Sequence, residues 1–112
     1  MKIYHNPRCS KSRQTLKLIN DAGKQVEIIE YLNTPPSFDE LKAIIKQLGI
    51  SPEQLLRKNE AIFKEQFKGK SLSNDEWIQA MVDHPKLIER PIVIQGDEAV
   101  LGRPPENVLS LI

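Results

Sequence analysis

Cysteine is almost missing from this chain of 112 residues: Cys9 stands alone. One thiol cannot close an internal disulfide, which excludes the stapled scaffolds of small secreted domains and suits a reducing compartment. A long apolar run is missing as well. Met1-Lys2-Ile3-Tyr4-His5-Asn6-Pro7 lacks the apolar stretch of a signal peptide, and nothing approaches the roughly 20 apolar residues that span a bilayer. A cytoplasmic protein is therefore expected. Nor is there an excess of one charge: 16 Lys and Arg against 15 Asp and Glu leave +1, no broad electrostatic reason to bind nucleic acid or membrane. Histidine occurs twice. His5 and Cys9 could face one another across a loop, but two ligands do not make a zinc site and His84 lies far away before Pro85, so no metal is expected. No repeat, linker or low-complexity segment interrupts the chain, which is long enough to bury one core without disulfides or a structural metal.

What is present concentrates around the single thiol. Lys2-Ile3-Tyr4 alternates like a strand, Asn6-Pro7 breaks it, and the residues after Cys9 open an amphipathic helix with Leu16, Leu18 and Ile19 on its apolar side. Cys9 therefore falls at or just before a helix N-terminus, where unpaired N–H groups and the positive end of the helix dipole stabilise an anion. A partly buried helix end supplies up to about 2 kcal/mol, roughly 1.5 pKa units, which leaves a thiol of ordinary pKa near 8.5 only about half ionised at neutral pH. More positive charge is needed. A cation about 4 Å away at an effective dielectric of about 20 adds on the order of 4 kcal/mol, and Arg8, Lys11, Arg13 and a His5 imidazolium are the candidates nearby in sequence. An inert, buried cysteine is the alternative, but its neighbours here are Arg, Ser, Lys and Pro, which a core would bury at a cost of several kcal/mol. The region is basic: residues 2 to 24 hold Lys2, Arg8, Lys11, Arg13, Lys17 and Lys24 against Asp21, which would attract a small oxyanion or an acidic thiol.

Asp21-Ala22-Gly23 ends the first helix, and Val26 to Leu32 reads as a second strand, so the chain begins with a βαβ unit. Its first loop lies at the carboxyl end of the strand, where open α/β sheets usually place ligands. After Pro35-Pro36, Ser37-Phe38-Asp39-Glu40 supplies a capping box for a helix ending at Gly49, with Leu41, Ile44, Ile45 and Leu48 as its buried stripe. Short helices are expected from Ser51-Pro52-Glu53 through Arg57 and from Asn59-Glu60-Ala61 onward. Ser73-Asn74-Asp75-Glu76 opens another helix, carrying Trp77, Ile78, Met81 and Val82. Ile92-Val93-Ile94 and Ala99-Val100-Leu101 form a hairpin about Gly96-Asp97, and Pro104-Pro105-Glu106 starts a last helix.

His5-Asn6-Pro7-x-Cys9-x-x-Ser12-Arg13, Leu55-Leu56-Arg57-Lys58-Asn59, Glu89-Arg90-Pro91-Ile92-Val93 and Gly102-Arg103-Pro104, in this order over nearly the whole chain, resemble the glutaredoxin-coupled arsenate reductase family, in particular its short arsenate reductase-related members. The resemblance implies an α/β, thioredoxin-like fold with a mixed four-stranded sheet: βαβ, a helical insertion at about 36–84, then ββα, all in a single domain over residues 1–112. It implies that Cys9 is the nucleophile, that His5 and Ser12 support its thiolate, and that Arg57, Arg90 and Arg103 bind the oxyanion, a task suited to their planar forks of donors. In that family the thiolate attacks arsenate, glutathione attacks the resulting thiol-arsenate adduct, and glutaredoxin resolves the mixed species so that arsenite leaves. Glutathione is then a co-substrate, with no bound cofactor. Thioredoxin-like folds also place a cis proline before the third strand, which here is Pro91. Arg8 stands where established members often have a small residue.

Two rivals share the resemblance. A monothiol glutaredoxin-like thiol-disulfide enzyme would carry glutathione on Cys9, with Ser12 where dithiol relatives have a second cysteine. Relatives of this fold also act as non-enzymatic redox regulators that bind RNA polymerase, but they usually use Cys-x-x-Cys, which Ser12 breaks. A cysteine phosphatase loop needs Arg six residues after Cys, and position 15 is Thr.

Overall fold

In the computed structural model, which describes residues 1–112, the first strand is β1 (Lys2–Tyr4), followed by helix α1 (Ser10–Asp21) and strand β2 (Glu27–Ile29). β1 and β2 pair in parallel with Ile3 opposite Ile28. Strands β3 (Ile92–Gln95) and β4 (Glu98–Leu101) form the expected hairpin about Gly96-Asp97, and β3 pairs antiparallel with β1, Ile3 opposite Val93. The sheet order is β2-β1-β3-β4. Ile3 and Val93 in the sheet, Ile19 on α1, and Val108 and Leu111 near the C-terminus bury together as the core. Each such side chain contributes on the order of 1.5 to 3 kcal/mol by leaving water.

The expected second strand is shortened at both ends, and its C-terminal part becomes a turn. The Glu30 carbonyl accepts hydrogen bonds from the N–H groups of Asn33 and Thr34 at 2.9 and 3.0 Å, so the chain curls instead of extending to Leu32. The last helix also differs in kind: Pro105–Leu111 is a 3-10 helix, whose three-residue turn buries Val108 and Leu111 while leaving Leu109 half exposed.

Contacts divide the chain into two compact units, one made of Met1–Thr34 with Arg90–Ile112 and the other of Pro35–Glu89. The second is the helical block. Helix α2 (Phe38–Leu48) starts with the anticipated box, in which Ser37 Oγ accepts from the Glu40 N–H at 3.2 Å and Glu40 Oε1 accepts from the Ser37 N–H at 3.4 Å. Gly49 closes it at φ 70°, a conformation that needs no Cβ penalty only for glycine. Helices α3 (Ala61–Gln66) and α4 (Asn74–Asp83) bring Phe63, Phe67 and Trp77 into one aromatic cluster, with His84 edge-on to Phe67 at 5.8 Å. The expected short helix from Ser51 stops earlier, as a 3-10 turn over Pro52–Leu55. Leu56 then runs extended and bridges Ile88, while the Arg57 N–H bonds the Leu87 carbonyl at 2.8 Å. No helix is long and apolar enough to cross a membrane.

Candidate active site

The loop after β1 is held by its own polar groups. His5 N–H continues the parallel ladder to the Ile29 carbonyl at 2.8 Å, Asn6 Oδ1 accepts from the Arg8 N–H at 3.0 Å, and the Asn6 carbonyl accepts from the Cys9 N–H at 3.0 Å. This double turn on Asn6 reverses the chain and delivers Cys9 as the N-cap of α1, in extended backbone at φ −94° and ψ 122°. As the N-cap residue, Cys9 turns its sulfur toward the Lys11 and Ser12 N–H groups of the first turn, the place that a serine or aspartate oxygen occupies at other N-caps.

Burial of the sulfur pushes the thiol pKa up. The opposing influences outweigh it: the Ser12 N–H, the Arg90 guanidinium as both hydrogen-bond donor and charge, and the Lys11 N–H together hold Cys9 below its ordinary value. Arg103 Nη1 lies 3.9 Å from Cys9 Sγ and 3.3 Å from the Arg90 carbonyl. Arg103 is exposed, and the surrounding water weakens its charge at the sulfur, whereas the half-buried Arg90 lowers the thiol pKa both as donor and as charge. Both arginines precede a proline in a cis peptide bond, Arg90-Pro91 as expected and Arg103-Pro104 in addition.

His5 is buried, with Nδ1 2.6 Å from Ser12 Oγ, and the same hydroxyl oxygen accepts from the Asn6 N–H at 3.1 Å. Burial lowers the His5 pKa, Glu30 works against that, and Arg13 lowers it further, with a net fall below the usual value. A pKa below the usual value leaves the imidazole mostly neutral at pH 7, so His5 is not a source of positive charge there; since Ser12 Oγ already accepts from the Asn6 N–H, its hydroxyl is free to donate to Nδ1 in the tautomer that carries the ring proton on Nε2. The neighbouring cations also serve otherwise. Arg13 Nη1 donates to the Pro7 carbonyl at 2.9 Å, tying the loop to the helix. The guanidinium groups at the sulfur come from residues 90 and 103.

Arg57 lies in the helical unit. Its Nε donates to Glu60 Oε1 at 3.2 Å and its Nη1 to Glu89 Oε1 at 2.8 Å, with its side chain only one-fifth exposed. Burial lowers its pKa, but Glu89 and then Glu60 more than reverse this, so its charge is secure.

Sequence reasoning missed two residues that set the geometry. Thr15 is fully buried, and its hydroxyl donates to the Lys11 carbonyl at 2.8 Å, with the Gly102 carbonyl 3.4 Å away. A Cβ at Gly102 would sit 2.5 Å from Thr15 Oγ1 and 2.7 Å from Pro91 Cγ. Only glycine lets the turn that carries Arg103 come this close to α1. The available signal was a threonine on the apolar face of α1, four residues before Ile19. No group of three or more His, Cys, Asp or Glu side chains gathers as a metal site.

A mixed sheet with its one cysteine at the start of the first helix, flanked by arginines from the β3–β4 side, fits the thioredoxin-like class that the sequence resemblance implies. The ArsC family model matches residues 4–111, and the chain belongs to that family. It is 49% identical to the uncharacterized protein YfgD of Escherichia coli (strain K12), over 100% of this chain and 96% of that one. It is 46% identical to the arsenate reductase of Haemophilus influenzae (strain ATCC 51907 / DSM 11121 / KW20 / Rd), over 98% and 97% of the two chains. The solved arsenate reductase from Vibrio cholerae superposes with a TM-score of 0.95 at 48% identity, covering 100% of this chain and 98% of that one.

Proposed function

We propose that this protein is an oxidoreductase that reduces arsenate to arsenite through a covalent Cys9 thiol-arsenate adduct, resolved by glutathione and glutaredoxin. The observation that carries this reading is the convergence on Cys9 of the Ser12 and Lys11 amides, the Arg90 guanidinium and, at 3.9 Å, Arg103 Nη1. Cys9 Sγ attacks arsenic(V), forming the S–As bond while one oxygen leaves as water. Glutathione thiolate then attacks the arsenic of the adduct and a second oxygen leaves as water, so that arsenic bridges Cys9 and glutathione. The glutaredoxin thiolate attacks the glutathione sulfur; the glutathione S–As bond breaks with its electron pair passing to arsenic, which falls from (V) to (III), and a glutaredoxin–glutathione mixed disulfide is the oxidised product. Water then displaces Cys9 from arsenic(III), releasing arsenite and the free Cys9 thiol. Arg90 and Arg103 offer planar donor forks to a tetrahedral oxyanion and keep their charge at any working pH. His5 and Ser12 hold the loop and the amides that face the sulfur. Arg57 is the third oxyanion ligand on the family resemblance alone, and that role requires it to exchange at least one carboxylate partner for the substrate.

The names of the relatives support arsenate as the substrate. A free reactive thiol and a mechanism that draws on reducing partners favour the cytoplasm. Purified protein given arsenate, glutathione and glutaredoxin, with arsenite measured, tests the reading against a mixed-disulfide substrate. Arsenite formed only when all three are present is the expected result. Turnover of the disulfide with no arsenite formed would favour the monothiol glutaredoxin-like rival.

A further inference from the structure

The sheet order puts β1 between two flanks, with β3 and β4 on one side and β2 on the other. Arg90 and Arg103 reach Cys9 from the β3–β4 side. On the β2 side a cavity of about 370 Å³ opens between the Cys9 loop and the turn after β2, lined by His5, Asn6, Arg8, Glu30, Leu32 and Asn33. It stands at the carboxyl ends of the two parallel strands, where open sheets hold ligands, and its size falls within the range of about 300 to 1,000 Å³ typical of small-molecule clefts. The mechanism above uses none of its charged groups.

Its lining carries one charge of each sign. Arg8 and Glu30 are both exposed, and neither forms a salt bridge within the protein. The Arg8 backbone is tied down by its N–H bond to Asn6 Oδ1 at 3.0 Å, which anchors the base of the side chain one residue from the reactive sulfur. A dianionic oxyanion meets a carboxylate here and is disfavoured. A group bearing an ammonium and a carboxylate on one carbon meets a partner for each, with the Asn33 amide able to donate and accept and Leu32 supplying an apolar wall.

We propose that this cavity is the subsite for the zwitterionic amino-acid end of the thiol co-substrate, with its carboxylate at Arg8 and its ammonium at Glu30. The assignment rests on the reading of the protein as a glutathione-dependent reductase. It puts the oxyanion and the incoming thiol on opposite flanks of Cys9, so that both are held at once. The γ-glutamyl end of glutathione has the required pair of charges on one carbon.

S-methylglutathione, which cannot react, tests the site without turnover. In amide-resolved NMR titrations of the whole protein, shift changes are expected to centre on His5 to Arg8 and on Glu30 to Asn33. S-methyl-γ-glutamylcysteine should bind comparably and S-methylcysteinylglycine far more weakly. Glu30→Gln and Arg8→Gln should each weaken binding by about fivefold, as loss of one exposed ion pair does. Shifts centred elsewhere, or equal binding of the two truncated thioethers, would overturn the proposal while leaving arsenate reduction untouched. Binding as described in a protein that forms no arsenite would uphold the subsite and refute the reductase reading.

Discussion

Gly102→Ala is the most informative single change, because its added Cβ lands 2.5 Å from Thr15 Oγ1, 2.7 Å from Pro91 Cγ and 3.0 Å from Thr15 Cγ2. The first of these is roughly 0.9 Å short of the 3.4 Å at which ordinary contact begins. Neither neighbour yields freely: Thr15 is buried with its hydroxyl bonded to the Lys11 carbonyl, and Pro91 is a ring. Overpacking of this kind costs about 1 to 3 kcal/mol. If the turn retreats instead and Arg103 Nη1 moves about 1 Å further from Sγ, the Coulomb attraction falls by about 1 kcal/mol at a dielectric of about 20, and solvent around Arg103 at least halves that. The Cys9 pKa should therefore rise by only a few tenths, while oxyanion binding suffers more because two donors lose their alignment. Denaturant unfolding of Gly102→Ala, Thr15→Ala and the double variant closes a cycle. Thr15→Ala removes two of the three clashing atoms, so the double variant should be more stable than the sum of the singles predicts by about 1 kcal/mol. Additive losses would refute the claim that Thr15 is what Gly102 accommodates.

Three further outcomes follow from the proposed function taken together with the geometry. Cys9→Ser should keep the fold and lose arsenite formation, because a hydroxyl is far less nucleophilic at neutral pH; since the Cys9 pKa is depressed in the folded state, the wild type should gain stability over this variant as pH rises toward the unfolded thiol value of about 8.5, and lose that margin as pH falls through the folded value. Arg90→Lys should raise the arsenate KM and lower kcat, with steady-state kinetics as the check, because a point charge cannot reproduce a fork of donors. His5 has its pKa lowered by burial, so the stability tied to its neutral form is present above about pH 6.5 and is lost as pH falls through the lower folded value. Unfolding midpoints followed from pH 7 to pH 5 should drop less steeply in His5→Gln than in the wild type.

Elements marked by local chemistry were readable from residues alone. The two capping boxes at Ser37 and Ser73, the Gly49 stop, the Gly96-Asp97 hairpin and the N-cap position of Cys9 each depend on neighbours a few residues apart, and each was found where expected. The second strand was overextended because Glu30-Tyr31-Leu32 continues its β-prone texture, whereas the turn that ends it is a backbone hydrogen-bond choice with no side-chain signature. Arg8, Lys11, Arg13 and His5 are the candidate cations nearest Cys9 in sequence, but the guanidinium groups that reach the sulfur come from Arg90 and Arg103, which only the resemblance singles out. No periodicity within a short window can pair residue 9 with residues 90 and 103. The close approach of Gly102 to Thr15 is hidden for the same reason, since it arises where α1 packs against the residue that follows β4, far away in sequence.

The ionisation of Cys9 in the intact protein tests the central claim most directly, through the pH dependence of its alkylation by iodoacetamide. A midpoint clearly below the ordinary thiol value of about 8.5, rising when Arg90 is replaced by glutamine, is the predicted result. A titration at the ordinary value, indifferent to Arg90, would contradict the account.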